Sequence, residues 1–170
     1  MTGREGRLTV QGDRAVFTFE RRLLYPIEAV WSAIADPGER AQWFGDTSID
    51  AQEGGMIDMI ATGPPLPPEK KRMTGRILVW DPPHVLEHEW KQAIVEDSVV
   101  RYELQPDGDG TLLRFSHRGL GARNATGFRA GTHAYLDRLE AYLAGDELPD
   151  WSTRRQEIVQ AQMESNQHVT

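Results

Sequence analysis

The segment from Asn124 to Ala144 constrains this chain more than any other. Wound at about 100° per residue, it brings Phe128, Thr132, Tyr135, Leu136, Leu139, Tyr142 and Leu143 onto one apolar stripe. Asn124 suits the N-cap, and Gly145 suits the left-handed stop that ends many helices. A long helix with such a stripe must bury it against a surface of comparable length.

The preceding sequence offers a sheet. Val16, Phe17, Phe19 and Leu23, interleaved with polar residues, make Arg14 to Leu24 a first strand. Pro26 opens a short helix, on which Ile27, Val30, Trp31 and Ile34 share a face. Asp36-Pro37-Gly38 breaks it, and a second short helix spans Glu39 to Trp43. Six more strands follow: Thr47 to Gln52, Met56 to Ala61, Arg72 to Trp80, Val85 to Trp90, Ser98 to Gln105 and Thr111 to Arg118. Gly54-Gly55 and Pro106 to Gly110 are hairpin turns. Gly63 to Pro68 reads as a stiff proline-rich loop, and Glu69 to Arg72 as its solvated continuation. The expectation is an α+β domain over residues 14–145. In it a curved, seven-stranded antiparallel sheet wraps around the long helix, with two short helices between strands 1 and 2. Residues 1–13 are an N-terminal tail. Residues 146–170 are a partly helical extension, docked through Trp151 and fraying after about Met163.

Composition excludes several functions. The net charge of −7 disfavours nucleic acid as a partner. No apolar run approaches the roughly 20 residues of a membrane span. The chain has no cysteine, so disulfides, thiolate metal sites and cysteine nucleophiles are impossible. Together with the polar N-terminal residues this fits a cytoplasmic protein. His88-Glu89-Trp90-Lys91-Gln92 starts like a zinc-protease motif, but glutamine replaces the second histidine, and the segment is a strand. No metal and no cofactor is expected.

Several stretches resemble a known family. Tyr25-Pro26-Ile27-Glu28-Ala29-Val30-Trp31, Gln42-Trp43-Phe44-Gly45, Glu53-Gly54-Gly55, Gly75-Arg76-Ile77, Asp81-Pro82-Pro83 and Gly131 through Leu139 carry the resemblance. Over roughly residues 14 to 145 the chain resembles a bacterial member of the START-like, Bet v 1-like (SRPBCC) superfamily. Within it, the chain is similar to the activator of Hsp90 ATPase homologue 1-like domain. The resemblance implies a helix-grip fold with an internal cavity, and a homodimer is common among such domains. The superfamily includes lipid carriers, polyketide cyclases, hormone receptors and a co-chaperone. The co-chaperone carries a further N-terminal domain for which these residues leave no room, so Hsp90 is not the expected partner.

Strand parity identifies the side chains that face the long helix. Leu86, His88 and Trp90 share a face; so do Val100, Tyr102 and Leu104; so do Leu113, Phe115 and His117. The apolar face is the covered one, which sends His88, Tyr102 and His117 inward. Such a His–Tyr–His cluster has three readings: ordinary buried hydrogen-bonded groups, contacts to a carbonyl or hydroxyl ligand, or acid–base catalysis. Trp43, Phe44, Met59, Ile77, Trp90, Phe115, Phe128 and Thr132 complete the candidate cavity wall, each having ordinary core as its plainer explanation. Gly127 and Gly131 would let the helix approach the sheet closely or bend. His133 falls about 120° from the stripe and is expected at the flank, while His84 and His168 are expected in solvent. The leading expectation is a protein that binds a small hydrophobic molecule, a lipid, polyketide or aromatic metabolite. The alternatives are a cyclase or hydratase using cavity His and Tyr residues, and a protein-interaction role.

Overall fold

The computed structural model describes residues 4–167. Strands β1 (Arg7–Gln11) and β2 (Arg14–Leu23) lead into helices α1 (Ile27–Ala35) and α2 (Pro37–Trp43). Strands β3 (Gly45–Ile49) and β4 (Met56–Ala61) precede a single-turn helix α3 (Pro68–Lys71). Then come β5 (Arg72–Asp81), β6 (Val85–Gln92), β7 (Ser98–Asp107) and β8 (Gly110–Gly121), the long helix α4 (Ala122–Ala144) and α5 (Trp151–Gln167). The antiparallel sheet runs β1-β2-β8-β7-β6-β5-β4-β3, open between β1 and β3, with α4 packed across it. This is the helix-grip arrangement.

Four differences from the sequence-based expectation have physical causes. The sheet has eight strands, because residues 7–11 of the expected tail pair with β2 along its edge. Both faces of β1 are largely exposed, so its residues carry no apolar alternation to read. The four residues Pro68–Lys71 are helical, with proline at the first position where no N–H is needed. α4 begins at Ala122 with Gly121 as its N-cap, while the Asn124 side chain instead donates to Glu96. α5 stays helical through Gln167, and His168 lies outside the described residues. Among the described residues no helix is long and apolar enough to cross a membrane.

Asp137 fixes α4 in place. Its carboxylate accepts from Arg21 of β2 at 2.9 Å, from Arg4 at 3.0 Å and from Arg154 of α5 at 2.8 Å. Arg21 is almost fully buried and also reaches Glu140 at 3.0 Å. Burial works to raise the Asp137 pKa, but the Arg154 hydrogen bond and the Arg21 charge hold it below the ordinary carboxylate value. His133 is therefore not on an open flank. It is buried against Phe19, ring centroids 6.0 Å apart, with Asp137 one turn away at 3.5 Å. The N-terminal segment and α5 cover the two sides of α4 that a helix on a bare sheet would leave to water. Replacing Asp137 with alanine leaves the buried Arg21 guanidinium only Glu140 and the Arg4 carbonyl, and removal of one partner of a buried pair costs up to about 3–5 kcal/mol. We predict a loss of that order in urea unfolding of Asp137→Ala, whereas Arg22→Ala, which breaks the exposed Arg22–Asp107 pair, shifts stability by less than about 1 kcal/mol.

Candidate functional site

α4 does not fill the sheet. Between the N-terminal half of α4, α5, the loop after β4 and the concave faces of β6, β7 and β8 lies a cavity of about 780 Å³. Its closed end is built from Trp43, Phe44, Tyr102, Phe115, His117 and Leu136, all buried. Trp90, Phe128 and Thr132 line its middle and are half-buried. Its mouth is marked by lining residues that are exposed: Pro65, Leu66, Arg123, Ser152 and Gln156.

Of the residues singled out from sequence, Trp43, Phe44, Trp90, Tyr102, Phe115, His117, Phe128 and Thr132 line this cavity. Met59, Ile77 and His88 do not, being buried in the solid core between β4, β5 and β6. His88 pairs in register with Ile77 of β5 and Val100 of β7, deeper in the curl of the sheet than the cavity reaches. Parity gave the right face but could not say how far along the strands the core closes.

The three inward polar groups do not hydrogen-bond to one another. His88 Nδ1 lies 2.8 Å from the Glu89 carbonyl oxygen. His117 Nε2 is 2.8 Å from Ser98 Oγ. Tyr102 Oη accepts from Arg40 at 3.0 Å. The aromatic surfaces do touch: the Trp90 ring centroid is 5.3 Å from His117 and 6.0 Å from Phe128, in the tilted and edge-on packing that aromatic pairs favour. Burial holds both imidazoles neutral, lowering His88 to about 4 and His117 to about 3. Among the described residues no group of three or more His, Cys, Asp or Glu is placed to hold a metal.

Two elements of the site escaped sequence reading. The first is Arg40, 1% exposed. It donates to the Ile34 carbonyl at 2.9 Å and to Tyr102, and its guanidinium lies 4.8 to 5.2 Å from the ring centroids of Phe44, Trp43 and Tyr102. No carboxylate pairs with it among the described residues, and burial lowers its pKa from the ordinary arginine value. Arginine keeps its charge even so. Its one sequence signal is the spacing to Trp43 and Phe44, which puts three residues on one face of a helical turn.

The second is the part Trp151 takes in the cavity wall, beyond the docking expected from sequence. Its indole sits in a slot between Gly63 and Gly131, packs at a tilt against Tyr135 with centroids 5.4 Å apart, and donates from Nε1 to the Gly131 carbonyl at 3.1 Å. Tyr135 Oη donates to the Gly63 carbonyl and accepts from its N–H, both at 2.8 Å. A β-carbon on Gly63 would lie 2.1 Å from the indole ring, and one on Gly131 would lie 3.2 Å from it. Gly131 of α4 thus makes room for α5, not for the sheet. Arg138 fastens the same corner, donating to the carbonyls of Trp43 and Pro149.

An open sheet gripping a long helix, with a lined cavity between them, defines a helix-grip domain. The chain belongs to the family described as "Activator of Hsp90 ATPase homolog 1-like protein", whose model matches residues 24–144. CalU16 from Micromonospora echinospora is 28% identical; the alignment covers 92% of this chain and 90% of that one, with a TM-score of 0.71. A protein from Bordetella parapertussis is 26% identical over 95% of this chain and 92% of its own, TM-score 0.69. A conserved protein of unknown function from Enterococcus faecalis, 17% identical over 94% and 91% of the two chains, has a TM-score of 0.71 and shows the fold alone. No curated protein matches the sequence.

The buried histidines set the pH dependence of stability. His88, His117 and His133 fall to about 4, 3 and 4 from an ordinary 6.5. Below 6.5 the unfolded chain takes up protons that the native protein refuses. The stabilisation is complete above 6.5 and drains away as the pH falls toward the native values. We predict a melting temperature that is level above pH 7 and declines from about 6.5 downward. His117→Phe should flatten that decline, and a pH-independent melting temperature between 4 and 6.5 would contradict the burial of these rings.

Proposed function

We propose that the protein binds a small hydrophobic molecule, a lipid, polyketide or aromatic metabolite, in the cavity between α4, α5 and the sheet. The observation that carries this reading is the cavity itself: about 780 Å³ of unfilled space inside a domain whose core is otherwise packed. That volume lies in the range of small-molecule sites, roughly 300–1,000 Å³. Its wall is aromatic and aliphatic, with His117 and Tyr102 as polar groups at the closed end. Supporting an empty apolar cavity of this size costs stability, which a bound apolar ligand would restore. Membership of a helix-grip family supports the reading. We place the activity in the cytoplasm on the cysteine-free composition. The catalytic alternative draws no support from the geometry, because His88, Tyr102 and His117 each bond to a separate partner and not to one another.

Three tryptophans line the cavity, so a ligand can be detected by energy transfer. Titration with the neutral fluorophore N-phenyl-1-naphthylamine is expected to show saturable, single-site transfer from tryptophan. Thr132→Trp should fill the middle of the cavity and weaken binding by about tenfold or more without unfolding the domain. Absence of saturable transfer to the folded protein would overturn the proposal. The homodimer that the resemblance suggests is read from the native mass of the same sample.

A further inference from the structure

The charges on the cavity wall are all of one sign. Lys71, Arg123 and Arg155 line it, and no Asp or Glu does among the described residues. This is unexpected in a chain with 26 acidic and 19 basic residues. All three cations come from the elements that frame the mouth. Arg123 is in the first turn of α4, one turn before Gly127. Arg155 of α5 leans onto that next turn, with Nη2 3.4 Å from the Gly127 carbonyl. Residues four apart on a helix are neighbours on its surface, so Arg155 rests on the turn next to Arg123, and both line the cavity. Lys71, at the end of α3, is steered there by Nζ bonds of 3.1 Å to the carbonyls of Thr62 and Pro64.

None of the three forms an ion pair among the described residues. Two carboxylates beside these elements are engaged elsewhere. Glu96 accepts from Gly121 N–H at 2.7 Å and Asn124 Nδ2 at 3.0 Å, and Glu157 is held by Arg154. At the opposite, closed end the cavity floor of Trp43, Phe44 and Tyr102 covers the unpaired charge of Arg40. The cavity therefore has an apolar body, positive charge behind its floor and, at its entrance, three cations with no acidic partner among the described residues. A cationic ligand is disfavoured at both ends. A neutral one leaves the donors of the mouth to water.

We infer that the cavity takes an amphipathic anion: an apolar chain or ring system in the body, with a carboxylate, sulfate or phosphate at the mouth on Arg123, Arg155 and Lys71. Guanidinium groups suit such a head because their paired N–H donors match two oxygens of an acid. The mouth is half-solvated, so the head group keeps part of its hydration and the penalty of burying a charge is avoided. This inference rests on the reading of the cavity as a ligand site, and it adds the chemical class of the ligand.

Decanoate, decanol and decyltrimethylammonium share one chain length and differ in head-group charge, and each can be titrated by displacement of N-phenyl-1-naphthylamine. The expected order is decanoate tightest, decanol about tenfold weaker and the quaternary ammonium weakest. Arg123→Gln combined with Arg155→Gln should remove most of the decanoate advantage and leave decanol affinity unchanged. Both side chains lie at the rim, so the melting temperature should stay near that of the wild type, which separates a lost contact from a lost fold. Decanol binding as tightly as decanoate, or an unchanged decanoate affinity in the double variant, would overturn the charge assignment while leaving the cavity as a ligand site. Failure of all three chains to displace the fluorophore would overturn the ligand site, and the charge assignment with it.

Discussion

One carboxylate holds four segments of the chain at a common point. Asp137 receives guanidinium groups from the N-terminal segment, from β2 and from α5, and itself belongs to α4. A helix laid across a sheet by apolar packing alone can slide and roll, because apolar contact has little directionality. Charged hydrogen bonds with fixed geometry remove that freedom. They fix the C-terminal half of α4 against β2 and leave its N-terminal half standing away from β6 and β7, where the cavity opens. The same carboxylate, through Arg154, sets the start of α5 beside α4.

What α5 then contributes is a wall. Trp151 enters a slot that exists only because residues 63 and 131 lack side chains, and its indole N–H finds the Gly131 carbonyl. The cavity thus has three kinds of boundary: a curved sheet, a helix and a docked C-terminal segment. The first two are properties of the fold. The third depends on individual residues, as do the cations at the mouth, and these are the features through which proteins sharing one fold come to differ in what they bind.

The charges divide the molecule by function. On the outer face of the sheet, Glu87 accepts from Arg101 at 2.6 Å and from Arg118 at 3.0 Å, and Arg114 meets Glu20 at 2.9 Å. Those pairs neutralise one another and keep the face hydrated. Around the cavity Lys71, Arg123 and Arg155 have no acidic partner among the described residues, and neither does Arg40, which bonds to the Tyr102 hydroxyl and a carbonyl and lies against three aromatic rings. An uncompensated buried charge is costly unless its field is used or its donors are satisfied. Ring faces and two hydrogen bonds offset part of that cost here.

Elements read most clearly from sequence where a periodic apolar pattern is long. Met56–Ala61 and the stop at Gly145 lie where turn chemistry and alternation put them, and the inward faces of β6, β7 and β8 follow from parity. β1 escaped because an exposed edge strand has no buried face to mark it. Arg40 and His133 escaped because their burial depends on which distant segments pack over them, while residue type favours the surface for Arg40 and helical angle puts His133 on the flank. The depth of the cavity was not legible at all. Alternation names a face of a strand but not how far across the sheet the cavity reaches: His88, Val100 and His117 stand in one register row of β6, β7 and β8, yet His88 is core and His117 is lining. The central claim is that this space is built to be filled. A crystal structure of protein purified without detergent tests it most directly. Continuous non-protein density along the cavity, from Tyr102 toward Arg155, is the predicted result. Collapse of Trp90, Phe128 and Trp151 into a solid core would contradict it.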